Sequence, residues 1–371
     1  MNRIASLDGL RAISISLVLV GHWAELRYHS DIAGAFANLG VRIFFIISGY
    51  LITTLLLTEY ETRSTIRLGE FYARRAYRIL PAAIVFMLPV FVIFRQDLRW
   101  YHMLAAAFYV ANFDFYHPWF LGHLWSLSVE EQFYFLWPSI LKKWHRHRIG
   151  ILIGVIGFAP VYRILCHLIG LHGRADETFP AVADVLAIGC LLAVIEHAMK
   201  IPTSRAGGAR EMGHPTTETP TSRAVSFVKS WAREMWHPTS IIQSRWALVM
   251  VLPIALVPVY MGQLRFHMTA LLMFGLWPLM HVCIAGVLLH VVRRPYRFLN
   301  VAPMVWLGKV SYSLYLWQQL FVFGTHPRPW YYAFFALAMA TASYHLVEQP
   351  MLRLRQRRSA KRAEAVLAQA A

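Results

Sequence analysis

Residues 7–23, LDGLRAISISLVLVGHW, place Arg11 and His22 inside a run otherwise apolar enough to span a membrane. Eleven residues amount to three helical turns plus about 20°, so the two side chains share one face, about 16 Å apart along the axis. An imidazole exchanges protons near neutral pH, and a guanidinium is a permanent fork for anions. Ionisable groups at membrane depth are costly and point to function by default. The alternative is that Arg11 snorkels to one interface and His22 sits at the other. Arg75 and Arg78 lie three residues apart, a spacing that presents adjacent guanidinium forks suited to phosphate, or else simply flanks a span with positive charge. Glu130 and Glu131 are consecutive, about 100° apart on a helix, so only one of them faces a given neighbour. Their alternative role is to pair with Arg42 or Arg163.

The elements that must position these groups are membrane helices. Of the 371 residues, 57% are hydrophobic and 15% charged, and the mean hydropathy is +0.45. This composition leaves no room for a soluble domain. Asp8 and Arg11 interrupt the first apolar region and no small-residue cleavage site follows, so a retained signal anchor is expected there. Runs of spanning length fall near 8–25, 36–58, 77–94, 125–141, 149–171, 178–199, 246–262, 268–292, 302–324 and 330–350, with a shorter one near 101–113. Arg63, Arg67, Arg74, Arg75 and Arg78 follow the second run, and Lys142, Lys143, Arg146 and Arg148 follow the run at 125–141. Both groups belong on the cytoplasmic side, which requires that 101–113 does not cross. The expected fold is therefore an all-α polytopic bundle of about ten transmembrane helices, with a re-entrant or interfacial segment near 101–124 and both termini cytoplasmic. Residues 1–350 form the membrane domain and 351–371 a basic cytoplasmic tail.

With that topology the net charge of +17 is explained by a basic cytoplasmic face against anionic membrane lipid, and no nucleic-acid partner is needed. Cys166, Cys190 and Cys283 lie in apolar segments without paired ligand spacing, so neither a disulfide framework nor a metal site is expected. The loop 200–245 repeats PTSRA at 202 and 220, and AREMGHPT at 209 as AREMWHPT at 232. Its Thr, Ser, Pro and Gly content reads as a mobile linker inserted in the domain.

Taken in order, Arg11 and His22, GVRIFFIISGY at 40–50, ARRAYRILPA at 73–82, GHLWSLSVEEQFYFLWP at 122–138, FPAVADVLAIGCLLA at 179–193, LGKVSYSLYLWQQ at 307–319 and SYHLVEQP at 343–350 resemble the acyltransferase type 3 family of membrane-bound O-acyltransferases. The resemblance covers essentially the whole chain. It implies a ten-helix bacterial inner-membrane enzyme that moves an acyl group, acetyl by family habit, from cytoplasmic acyl-CoA to a hydroxyl of a cell-surface or secreted carbohydrate. O-antigen lipopolysaccharide, exopolysaccharide, a lipid-linked glycan and a small secondary metabolite all fit as acceptors.

Acyl transfer from a thioester needs a base at the attacking hydroxyl, donors for the developing oxyanion and an anchor for the coenzyme phosphates. His22 supplies the base. Under the ten-span topology Glu130 and Glu131 lie at a depth similar to that of His22, and Glu130 is chosen as its carboxylate support because the resemblance keeps an acid there. Arg75 and Arg78 match the family's RxxR motif and are expected to bind the phosphates of acetyl-CoA, with Arg11 as a third contact. His123 and Trp125 are placed to meet an acceptor sugar. Tyr50 could donate a hydroxyl to the site, whereas Ser48 and Gly49 read as close-packing residues and Ser311 to Ser313 as helix-to-helix hydrogen-bonders. Gln318 departs from the family pattern, which often has histidine there. A multi-span transporter with buried charges along an ion or substrate path remains the alternative class. No inverted repeat between the halves supports it, and acetyl-CoA consumption separates the two. Oligomeric state is not legible.

Overall fold

The computed structural model describes residues 5–171, 175–200, parts of 251–257, 272–294, 296–322 and 328–370. The described residues are helical, without a strand. In chain order the helices are α1 (Ala5–Tyr28), α2 (Asp31–Arg63), α3 (Leu68–Ile93), α4 (Trp100–Ala107), α5 (Leu124–Lys143), α6 (Arg148–Leu168), α7 (Phe179–Lys200), α8 (Trp277–Arg293), α9 (Ala302–Phe321), α10 (Tyr332–Ser343) and α11 (Gln349–Ala370). One π-turn, Leu272–Leu276, leads into α8 and another, Tyr344–Glu348, joins α10 to α11.

Six helices among the described residues are long and apolar enough to cross a membrane: α1, α2, α3, α6 with its preceding turn, α7, and α8 from Phe274. Exposed Leu88, Val92, Ile153, Leu165 and Val282 are the side chains such helices would turn to lipid. The runs expected at 125–141, 302–324 and 330–350 fall on α5, α9 and α10 with its π-turn. Glu130, Glu131 and Gln132 interrupt α5, and Lys309, Gln318 and Gln319 interrupt α9. The run at 246–262 and the loop 200–245 lie almost wholly outside the described residues, so the count of ten is not reached here. The segment expected not to cross is broken into the eight-residue α4 and single turns at Ala111–Phe113 and Trp119–Leu121. Eight residues reach about 12 Å, well short of the roughly 30 Å of hydrocarbon. His102 Nδ1 lies 2.5 Å from Asp114 Oδ2, and Ser128 of α5 accepts the Ala111 N–H at 3.1 Å.

The chain forms two compact units, Met1–Leu7 with Val41–Ile66 and Gln132–Asn300, and Asp8–Gly40 with Arg67–Glu131 and Val301–Ala371. In the first unit α2 crosses α7 backbone to backbone. A Cβ added to Gly49 would overlap the Leu186 carbonyl, and one on Gly189 the Ile46 carbonyl. This is the close packing expected of Gly49, since small residues let helices without a hydrophobic drive between them approach. Next to that crossing Tyr134 donates to Ser48 at 3.1 Å, and the Trp137 indole to Thr53 at 2.8 Å.

A buried charge cluster completes this unit. Arg163 of α6 donates to both Asp184 carboxylate oxygens at 3.0 and 3.2 Å and to the Ala181 carbonyl at 2.5 Å. Arg42 lies 2.9 Å from His281 Nε2. The two guanidiniums sit 4.7 and 4.9 Å from the centroid of the same Trp277 ring. The arginines thus gather around Asp184, His281 and Trp277.

Candidate active site

The second unit carries the polar groups read as chemical. Within it α1 and α9 meet at both ends. A Cβ on Gly308 would overlap the Asp8 carbonyl, and further along His22 Nδ1 lies 3.3 Å from Gln318 Oε1. Trp23 then ties the end of α1 to the Arg328 carbonyl at 2.9 Å. Gln318 is fully buried. An amide oxygen only accepts, so this contact puts the proton on His22 Nδ1 and leaves Nε2 with its lone pair.

His123, immediately before α5, is buried at the same level. Its ring meets Phe86 of α3 edge-on at 5.5 Å and Tyr315 of α9 at 5.6 Å. The Tyr315 hydroxyl fixes the backbone there, donating to the His123 carbonyl at 3.0 Å and lying 2.5 Å from Ser126 Oγ. His22 and His117 are within electrostatic reach of His123, and the Leu316 backbone offers it at most a weak contact. Neither His123 nitrogen makes a well-formed hydrogen bond among the described residues, and the same holds for Gln318 Nε2, Trp317 Nε1 and Gln319 Oε1. Buried polar atoms are seldom left this way, and a concentration of them marks a place where partners arrive from outside the fold.

A second polar level lies along the same helices. Glu131 is within electrostatic reach of Arg75, Arg78 and Glu130. The Tyr312 hydroxyl donates to the Ile79 carbonyl at 3.0 Å and feels Tyr109, Glu131, Glu348 and Glu130. Ser313 donates to Glu348, which Arg78 also reaches. These are the helix-to-helix bonds expected of Tyr312 and Ser313, whereas Ser311 donates to the Gly308 carbonyl of its own helix at 2.9 Å. From Tyr312 to Gln318 is about 9 Å along α9, and from His123 to Glu131 about 12 Å along α5. Glu131 is therefore level with the arginines, where the topology had put both carboxylates at the depth of His22. Glu130 is half-buried beside it.

The arginine level is reinforced by α11. Arg358 donates to the Tyr77 hydroxyl at 2.6 Å, and Arg355 lies within reach of Arg74 and Glu70. The basic tail thus continues as a helix alongside the start of α3, and Arg74, Arg75, Arg78, Arg355 and Arg358 gather at one end of the unit. Arg75 and Arg78 are half-buried, as is Arg11 on α1, which carries it and His22 on one continuous helix.

Seven of the residues singled out by sequence, Arg11, His22, Arg75, Arg78, His123, Trp125 and Glu130, fall in this unit. Tyr50 falls in the other, where its hydroxyl donates to Glu196 at 2.5 Å. Gln318 as the partner of His22, and Phe86 against His123, were missed. The only signal for Gln318 was its departure from histidine in the family pattern. Among the described residues no group of three or more His, Cys, Asp or Glu could hold a metal.

The family model described as an acyltransferase domain matches residues 4–207. The chain is 36% identical over 221 residues to "Putative O-acetyltransferase SACOL0978" of Staphylococcus aureus (strain COL), covering 53% of this chain and 35% of that protein. It is 28% identical over 354 residues to peptidoglycan O-acetyltransferase OatA of Listeria monocytogenes, covering 87% and 50%. To O-acetyltransferase OatA of Staphylococcus aureus (strain NCTC 8325 / PS 47) it is 28% identical over 386 residues, covering 94% and 57%. The chain therefore spans between about a third and just over half the length of these relatives. No solved structure matches.

Proposed function

The chain belongs to the acyltransferase domain family, and on that premise we propose that it is an integral membrane O-acyltransferase that moves acetyl from cytoplasmic acetyl-CoA to a carbohydrate hydroxyl, free or on a lipid-linked glycan. All three of these relatives carry O-acetyltransferase in their names, one of them for peptidoglycan, which supports a cell-envelope glycan as acceptor. In this reading the protein sits in the bacterial inner membrane with both termini cytoplasmic.

The observation that carries the reading is the His22 to Gln318 contact at 3.3 Å, which keeps the lone pair on Nε2 of His22, near buried His123, Trp317 and Gln318 atoms that have no hydrogen-bond partner among the described residues. His22 takes the proton of the attacking hydroxyl, and its imidazolium returns that proton to the leaving thiolate. Gln318 holds the ring, while Glu130 lies beside Glu131 at the level of the arginines. His123 and Trp125 meet the acceptor. Tyr50, whose hydroxyl is committed to Glu196, has no part in it.

Arg75 and Arg78, with Arg11, receive the donor's phosphates. The clustering of Arg74, Arg355 and Arg358 beside them suits a polyanion, because guanidiniums bind phosphate as forks. Acetyl-CoA when bound supplies an activated acyl carbon and a thiolate leaving group. The distance of about 16 Å from Arg11 to His22 is of the order a pantetheine arm spans, so one end of the unit would hold the nucleotide and the other the thioester.

The test is transfer of labelled acetyl from acetyl-CoA to membrane glycans in vesicles holding the intact protein or His22→Ala at matched amounts. Label that appears with the intact protein and vanishes with the variant supports the reading. Equal label from both removes His22 from the chemistry, and acetyl-CoA left intact by the wild-type protein counts against an acyltransferase.

A further inference from the structure

The Gln318 side chain is 0% exposed and only half of it is used. Its oxygen faces His22 Nδ1 at 3.3 Å, while its nitrogen, which carries two N–H donors, has no partner among the described residues. Burying donors without acceptors is costly, and a folded core tolerates it where an acceptor arrives during function. The amide is one rigid plane, so these donors lie beside the base. The surroundings are aromatic. The adjacent Trp317 ring packs edge-on to Phe86 at 5.6 Å, and Phe86 packs against His123. Preorganised donors in such a site meet developing charge without reorganising, which is where they count most.

We propose that Gln318 is a catalytic residue whose Nε2–H donates to the acyl oxygen as it gains negative charge, while the Oε1 of the same amide holds His22 Nδ1–H. This rests on the reading of His22 as base for transfer from a thioester. In the step, His22 Nε2 takes the hydroxyl proton and the acceptor oxygen bonds to the acyl carbon. The carbon–sulfur bond then breaks with its electron pair on sulfur, and the imidazolium returns its proton to that thiolate. The products are an acetyl ester and the coenzyme thiol, so no other reactant is required. One side chain thereby couples the orientation of the base to the stabilisation of the oxyanion.

The experiment compares kcat and KM for acetyl-CoA at pH 8.5 in wild type, Gln318→Glu and Gln318→Met, with the thermal unfolding midpoint of each. The carboxylate of Gln318→Glu keeps an acceptor for His22 Nδ1–H and removes both donors, whereas Gln318→Met removes acceptor and donors together. Loss of one oxyanion donor reduces kcat about 10²–10³-fold. That loss is expected in both variants, with KM within about threefold and unfolding midpoints near wild type; if one variant fails to fold, the other decides. Gln318→Glu retaining more than a tenth of wild-type kcat while Gln318→Met is impaired would reduce Gln318 to a positioning residue for His22. Full activity in both removes it altogether. A wild-type protein without acetyl-CoA turnover overturns the acyltransfer reading itself, a result distinct from either.

Discussion

The two units bury the same residue types to opposite ends. In the first, Arg163 is clamped on Asp184 and the Ala181 carbonyl, and Arg42 and His281 face each other at 2.9 Å. Among the described residues the unsatisfied atoms there, Arg148 Nε, Arg163 Nε and His281 Nδ1, are single atoms of side chains otherwise bonded. In the second, His123 has neither nitrogen well bonded, and Gln318 and Trp317 keep whole donors in reserve. A buried charge with its partner fixes helices relative to one another, since removing either side strands the other. A buried polar group without a partner in the fold costs stability and calls for a partner from elsewhere, such as water, an ion or a ligand. Partnership, and not residue type, separates the two.

The largest expected effect tests that division directly. His22→Ala should reduce acetyl transfer about 10²–10⁴-fold while leaving the unfolding midpoint nearly unchanged, because its hydrogen bond to Gln318 is a long 3.3 Å. Activity with an unchanged kcat would show that the unpartnered pocket is not where the chemistry occurs. The mirror experiment is Asp184→Ala, which leaves Arg163 buried at 1% exposure without its carboxylate and should cost about 3–5 kcal/mol. The readout is the unfolding midpoint in detergent, with activity lost only as far as folded protein is lost. An unchanged midpoint would mean that the charge cluster is not structural.

How much of this was legible in the sequence follows the range of each interaction. Helices α1, α2, α3, α6, α7 and α8 lie on apolar runs, because a span is a local property of composition. The break at 100–121 was legible from the charge on either side of it, through the positive-inside rule. Partners were not. His22 and Gln318 are 296 residues apart, and nothing local in LYLWQQ says that an amide on α9 will face α1. Glu131 shows the same limit. Its depth was inferred from a topology, whereas its real companions, Arg75 and Arg78, depend on how α3 and α5 slide past each other. Tyr50 was read as a possible hydroxyl donor to the site, because Glu196, its acceptor in the fold, stands 146 residues away.

A smaller effect sharpens the role of the arginine level. Arg75→Ala should raise KM for acetyl-CoA about ten- to a hundredfold, the equivalent of one charged hydrogen bond of about 1.5–3 kcal/mol, with kcat within a few fold. Arg63→Ala is the control, since Arg63 sits at the exposed end of α2 with Glu59 at 3.9 Å. Equal effects from both substitutions would mark Arg75 as a flanking charge rather than a phosphate ligand.

The smallest effect concerns the rim of the first unit. Glu177, in the turn Ala175–Glu177 ahead of α7, has its carboxyl pushed up to about 7 by burial, with Asp176 adding to it. The neighbouring Asp176 lies within reach of Arg42, so the turn borders the charge cluster. A carboxyl with a raised folded pKa is favoured in its neutral form. The unfolded chain ionises near pH 4.5 and the folded one near 7, so this group's contribution is fully present below about pH 4.5 and is lost as pH rises to 7. Allowing for its partial exposure, the loss is on the order of 1–2 kcal/mol. Glu177→Gln, neutral at every pH, should therefore gain stability over wild type by about that amount between pH 4.5 and 7, with the two proteins nearly equal at pH 4. A stability difference that does not change with pH would show that Glu177 is solvated, and would confine the burial in this unit to Arg42, Arg163, Asp184 and His281.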